Sequence, residues 1–144
     1  MQKRLALTIM LAASVAFLVC FFAFQPSCKD HDEGSLFRVY ADPNLTEEVS
    51  THLSWEYIKP GINNKTIYVL NCGSNPIRLA LLVLPLPKGW NLTWDYNGSW
   101  ILPGKVKRIT LTLHVTDLKD IKKLNVGAAI IVQEIKPVNI GSRN

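Results

Sequence analysis

Alternation of polar and apolar side chains constrains this chain more than any other feature. Residues 106–115, VKRITLTLHV, place Ile109, Leu111 and Leu113 on one face and polar side chains on the other. A period of two is the spacing of a β-strand with one buried face. Weaker versions recur along the chain and predict strands at residues 36–41, 49–58, 65–72, 77–84, 90–96, 99–102, 106–115 and 124–133.

Turn signals separate these segments at regular intervals. Pro60-Gly61 lies in a predicted turn over residues 59–64, and Asn97-Gly98 predicts a type I′ hairpin joining residues 90–96 to 99–102. Short strands, frequent turns and no long helical pattern predict an all-β fold, an immunoglobulin-like antiparallel β-sandwich of about seven strands over residues 36–133. Within it, the almost wholly apolar segment 77–84 is typical of a strand covered on both faces or lying near the sheet centre.

An uncharged segment at the N-terminus predicts a membrane partner. Residues 5–24 follow Lys3 and Arg4 without a single charge, and twenty residues of helix span about 30 Å, the thickness of a hydrocarbon core. The chain therefore divides into a transmembrane anchor or signal segment (1–24), a tether (25–35), the β-domain and a C-terminal tail (134–144). An uncleaved anchor and a cleaved signal peptide both place the β-domain outside the cell, because the basic residues hold the N-terminus in the cytoplasm.

Charge and residue spacing argue against several function classes. The chain has 16 basic and 11 acidic residues. The basic residues are scattered rather than arranged in a stripe, so no nucleic-acid partner is expected. The three histidines are isolated in the sequence, and no spacing indicates a metal site, a cofactor or a catalytic constellation. We therefore predict no enzymatic activity.

The cysteines leave one pairing open. Cys20 lies in the apolar segment, whereas Cys28 and Cys72 could form a disulfide in an oxidising compartment. Against that pairing, Cys28 lies in the tether and Cys72 directly precedes a glycine turn.

Aromatic residues concentrate in residues 89–104, GWNLTWDYNGSWILPG. Trp90, Trp94 and Tyr96 alternate with polar residues, and Trp100 follows the Asn-Gly pair. Aromatic side chains on one strand face usually fill a core, where Trp100 would pack across the hairpin against Trp94 or Tyr96. The alternative is an exposed platform of these four residues that stacks on sugar rings, which requires at least two of them to be exposed and coplanar.

Four Asn-X-Ser/Thr triplets point to glycosylation. In a chain of 144 residues with ten Asn and sixteen Ser or Thr, about one such triplet is expected by chance. All four occur in the exported part, at or near predicted turns, where Asn and Ser/Thr are common for reasons of backbone geometry alone. The candidate N-glycosylation sites are Asn44, Asn64, Asn91 and Asn97.

The order of these motifs resembles a known domain type. LSWEYIKPG, IYVLNCGSNPIRLAL and LPKGWNLTWDYNGSWILPGKVKRITLTLHV are similar to segments of small secreted or membrane-anchored archaeal proteins with immunoglobulin-like (NEW3-like) domains. Pro87-Lys88-Gly89-Trp90 fits that family's Pro-x-Gly-Trp, and the likeness covers residues 53–133. Cys72 departs from the family pattern, which has an acidic or polar residue there. The resemblance implies an extracytoplasmic immunoglobulin-like domain and no catalytic residue.

Together these features predict a non-enzymatic, membrane-anchored, extracellular protein with a structural, adhesive or partner-binding role in the cell envelope. Its expected partners are the membrane and, beyond it, other envelope proteins or glycans. Two other functions are compatible with the sequence: a carbohydrate-binding accessory module, and a minor pilin-like subunit of a surface filament with the N-terminal helix in the filament core.

Overall fold

The computed structural model describes residue 28 and residues 35–55, 57–117 and 126–137. Internal contacts divide the chain into two compact units, Met1–His31 and Asp32–Asn144, and the fold below is that of the second. The predicted membrane segment, most of the tether and the end of the tail lie outside the described residues. Within those ranges, no helix is long and apolar enough to cross a membrane.

Across the described ranges the chain is all-β, with eight strands in two antiparallel sheets. One sheet has five strands in the order β2-β1-β4-β7-β6, and the other has three in the order β3-β8-β5. In chain order the strands are β1 (Phe37–Tyr40), β2 (Glu48–Val49), β3 (His52–Ser54), β4 (Gly61–Asn71), β5 (Ile77–Val83), β6 (Asn91–Trp94), β7 (Val106–Val115) and β8 (Gly127–Ile135).

Strands β4 and β7 form the centre of the larger sheet. Their ladder runs without interruption from Gly61 opposite Val115 to Leu70 opposite Val106. The alternation in 106–115 appears directly as burial: Ile109, Leu111 and Leu113 are fully buried, and the intervening residues face outward. The bounds of β7 therefore agree with the sequence prediction.

The smaller sheet is built around β8. Ala129 of β8 lies opposite Leu82 of β5 on one side and opposite His52 of β3 on the other. The register between β5 and β8 shifts once, between Arg78 and Leu79, where a bulge interrupts the ladder. Strands β3 and β5 are consequently the two edges of this sheet.

The apolar faces of both sheets meet in one hydrophobic core. Each fully buried aliphatic side chain contributes about 1.5–3 kcal/mol through removal from water. Fully buried members from both sheets include Val39, Ile67, Val69, Ile77, Leu79, Ile109, Leu111, Leu113 and Ile130. The architecture is thus two-layered and sandwich-like.

Three local predictions are wrong. The predicted strand 49–58 is divided, because β2 pairs with the larger sheet and β3 with the smaller. The predicted turn 59–64 ends earlier, because β4 begins at Gly61 and pairs with the far end of β7. The Asn97-Gly98 hairpin does not form: of the two residues only Gly98 has positive φ, at 74°, and the following chain crosses to the smaller sheet, where Ile101 pairs with Ile77.

Candidate functional site

The aromatic residues lie mostly inside the protein. Trp90 and Tyr96 are only 9% and 7% exposed and belong to the core. Trp94 is half-buried, with its ring centroid 5.1 Å from that of Tyr96 and the two planes at 67°. A sugar-stacking platform requires two exposed, coplanar rings, and the Trp94–Tyr96 pair is edge-to-face with one ring buried.

Trp100, the fourth residue of that platform, is half-buried and contacts a different partner. Since no hairpin forms, it does not stack on Trp94 or Tyr96. Instead the Arg78 guanidinium lies 4.3 Å from the centre of its ring. Arg78 also pairs with Glu134 across β5 and β8, with Nη1 and Oε2 3.2 Å apart. One face of the half-buried ring is therefore occupied by a cation.

A buried asparagine organises the same junction. Asn71 is 0% exposed, and its Nδ2 donates to the carbonyls of Asn75 (2.9 Å) and Ile101 (2.8 Å). Its Oδ1 accepts the Gly73 N–H at 2.9 Å. The side chain therefore links the end of β4 to the segment that crosses between sheets. Sequence reasoning missed this residue, because the alternation of residues 65–72 assigns it only to a strand face and does not indicate its hydrogen-bond partners.

Tyr96 closes part of the edge of β5. Its hydroxyl donates to the Ser99 carbonyl and accepts the Leu79 N–H at 3.4 Å. Ile77 exchanges two backbone hydrogen bonds with Ile101 on the same side of the strand. The first half of the outward edge of β5 is thus occupied.

The four sequon asparagines, in contrast, all lie at the surface. Asn64 and Asn91 belong to β4 and β6 and are exposed on the outer face of the larger sheet, while Asn44 and Asn97 are exposed in loops. The Asn97 Oδ1 accepts the Ser99 N–H at 3.1 Å, which forms an Asx turn. Every candidate glycosylation site is therefore sterically open to solvent.

The loop around Asn44 is held by one carboxylate. Asp42 accepts the backbone N–H groups of Glu47 (2.7 Å), Thr46 (2.9 Å) and Asn44 (2.8 Å). These hydrogen bonds, led by that from Glu47, lower the pKa of Asp42 below its ordinary 3.8. The loop also places Leu45 in the left-handed region, with φ at 58°.

Cys28 and Cys72 are both disulfide-bonded. Cys72 lies directly after the end of β4.

A groove of about 490 Å³ crosses one end of the smaller sheet. Its lining is mostly apolar, with His52 and Ser54 on one side and Leu82 and Leu84 on the other. No group of three or more potential metal-ligating side chains occurs among the residues that the structure describes.

Comparison with known proteins identifies no relative: no family model, curated protein or solved structure matches this chain.

Proposed function

We propose that this protein is a non-enzymatic, membrane-anchored component of the cell envelope that presents a glycosylated immunoglobulin-like β-domain on the outer side. The observation that carries the proposal is the exposure of all four sequon asparagines on a β-domain whose Cys72 is disulfide-bonded. Attachment of a glycan requires an accessible amide, and stable disulfides are characteristic of oxidising compartments.

The sequence supplies the other half of this proposal. The uncharged residues 5–24 are long enough to span a bilayer, and the basic residues before them favour a cytoplasmic N-terminus. A single-pass topology then puts the sequons and the disulfide on the same, external side. The role would be structural, adhesive or partner-binding, carried by the surface of the sheets rather than by a pocket.

Intact-mass measurement of the protein purified from its native membrane tests this proposal. The expected mass exceeds that of the chain by one or more glycans. Thr93→Ala, which destroys the Asn91 sequon, should remove one glycan mass, whereas the matched Thr93→Ser variant, which keeps the sequon, should retain it. A native protein with the mass of the unmodified chain would contradict glycosylation.

Topology needs a separate measurement. A membrane-impermeant amine reagent applied to intact cells should label lysines of the β-domain, such as Lys88 and Lys105, both of which are exposed. Labelling only after the cells are lysed would refute an external domain, whatever the glycan result.

A further inference from the structure

Strand β5 is an edge strand with an unusually apolar exposed end. Leu82, Val83 and Leu84 are 54%, 40% and 58% exposed. The sequence of 77–84 is typical of a strand covered on both faces, yet in the structure its outer face and one edge are open. No charged residue occurs between Leu79 and Pro87, although charges are a common protection of exposed strand edges.

Only a short part of that edge offers free backbone groups. The Leu84 N–H donates to Gly127 of β8, so even-numbered residues of β5 face β8 and odd-numbered ones face outward. Ile77 is bonded to Ile101, and the Leu79 N–H is bonded to Tyr96. Among described contacts, the outward groups of Leu81 and Val83 remain without a partner.

The opposite edge of the same sheet is closed by side chains. In β3, the outward His52 N–H donates to Ser50 Oγ (3.0 Å), and the Ser54 carbonyl accepts from Lys65 Nζ (2.6 Å). The difference between the two edges makes β5 the place where another strand can join this sheet.

We infer that β5 pairs antiparallel with β5 of a second copy of this chain, about a two-fold axis at Leu82. In this register Leu81 of one copy exchanges its outward hydrogen bonds with Val83 of the other, so every free group at the two positions finds a partner. Both copies thus contribute the same residues of β5 to the contact, as an isologous interface requires.

The side chains fit the same register. On the outer face, Leu82 lies opposite its own copy, and the large exposed Leu84 lies opposite the small Ala80 of the other copy. Paired apolar side chains at such positions stabilise an antiparallel pair. No charged side chains oppose each other, because the segment that pairs contains none.

The same register limits how many residues of the two strands can pair. Residue 79 would next oppose residue 85. Pro85 has no N–H, and the Leu79 N–H is already bonded to the Tyr96 hydroxyl. Pairing is therefore confined to residues 81–83 with their flanking side chains, which implies a modest dimer rather than an open-ended sheet.

Disulfide trapping tests this interface in the full-length chain in detergent, produced without glycosylation and with Cys20→Ala as background. Leu82→Cys would bring two thiols together across the axis, since directly opposed residues at a non-hydrogen-bonded position have Cα atoms about 4.5 Å apart. Under mild oxidation its dimer fraction should exceed that of Ser54→Cys, an exposed residue on the other edge, at least tenfold. Equal trapping of the two variants, or none, would overturn the inference.

A charge exchange provides the second test. Leu82→Lys and Leu82→Glu should each weaken association at least tenfold in sedimentation equilibrium, because like charges then meet at the axis. An equimolar mixture of the two should recover a heterodimer. If both variants associate like the parent, the copies meet elsewhere, for example through residues 5–24, and the β5 interface is refuted. Neither experiment depends on the glycosylation or the membrane topology of the protein.

Discussion

Replacement of Asn71 by alanine tests whether one buried side chain holds the two sheets together. The side chain makes three hydrogen bonds, and each contributes about 1 kcal/mol net. The Ile101 carbonyl also accepts from Ile77, so it keeps one partner after the substitution. We therefore expect Asn71→Ala to lower the free energy of unfolding by about 2–3 kcal/mol, with no large additional desolvation cost.

Urea unfolding of the full-length chain in detergent, followed by tryptophan fluorescence, measures this effect from the shift in midpoint. The matched control is Asn64→Ala, on the same strand but exposed, which should change stability by less than about 0.5 kcal/mol. Both variants are made in a host without N-glycosylation, so that loss of the Asn64 sequon has no effect. Equal stability of the two variants would refute the role assigned to Asn71.

Asn71→Asp extends the prediction to pH. A carboxyl at this position must stay protonated to donate to the Ile101 carbonyl, and burial raises the pKa of such a group. Its folded pKa would exceed its unfolded value of about 3.9. The variant is therefore most stable relative to the parent below about pH 4 and loses stability as the pH rises. If the difference in unfolding free energy between Asn71→Asp and the parent did not change with pH, water would have access to this site.

Two further predictions concern backbone conformation and pH. Gly89 and Gly98 both have positive φ, at 84° and 74°, so alanine at either position costs about 1–2 kcal/mol, but at Gly89 the added Cβ also lies 2.9 Å from Thr116 Oγ1. Thermal unfolding should show Gly89→Ala to be the less stable, and equal melting temperatures would contradict the contact. The lowered pKa of Asp42 makes its contribution complete above about pH 4 and progressively lost at lower pH. The stability difference between the parent and Asp42→Asn should accordingly shrink as the pH falls below 4, and a constant difference would exclude the carboxylate as its cause.

Local sequence patterns predicted correctly those strands in which the buried face follows the alternation of apolar residues. Alternation placed β7 correctly because one face of it packs on the core along its whole length. Alternation also predicted the two faces of residues 90–93: Trp90 and Leu92 are buried, and Asn91 and Thr93 are exposed.

The failures have a common cause in pairing between distant residues. Gly61 carries a turn signal, but the length of β7 draws it into the sheet opposite Val115. Asn97-Gly98 has the composition of a hairpin, but Ile101 pairs with Ile77 of the other sheet instead. Such choices depend on which strand is nearby, which no window of a few residues contains. The buried hydrogen bonds of Asn71 were unpredictable for the same reason.

Tyr96 connects the stability of the domain to its proposed assembly, and the two effects should have opposite signs. Tyr96→Phe removes the hydroxyl that bonds the Ser99 carbonyl and the Leu79 N–H, which should cost about 1–2 kcal/mol of unfolding free energy. The freed Leu79 N–H then faces outward and, in the two-fold register, opposes the Pro85 carbonyl of the second copy. Pairing can extend by one hydrogen bond at each end, so in the Leu82→Cys background the dimer fraction should rise although the fold is weaker. A dimer fraction that falls together with stability would show that the tyrosine supports β5 without limiting its open edge.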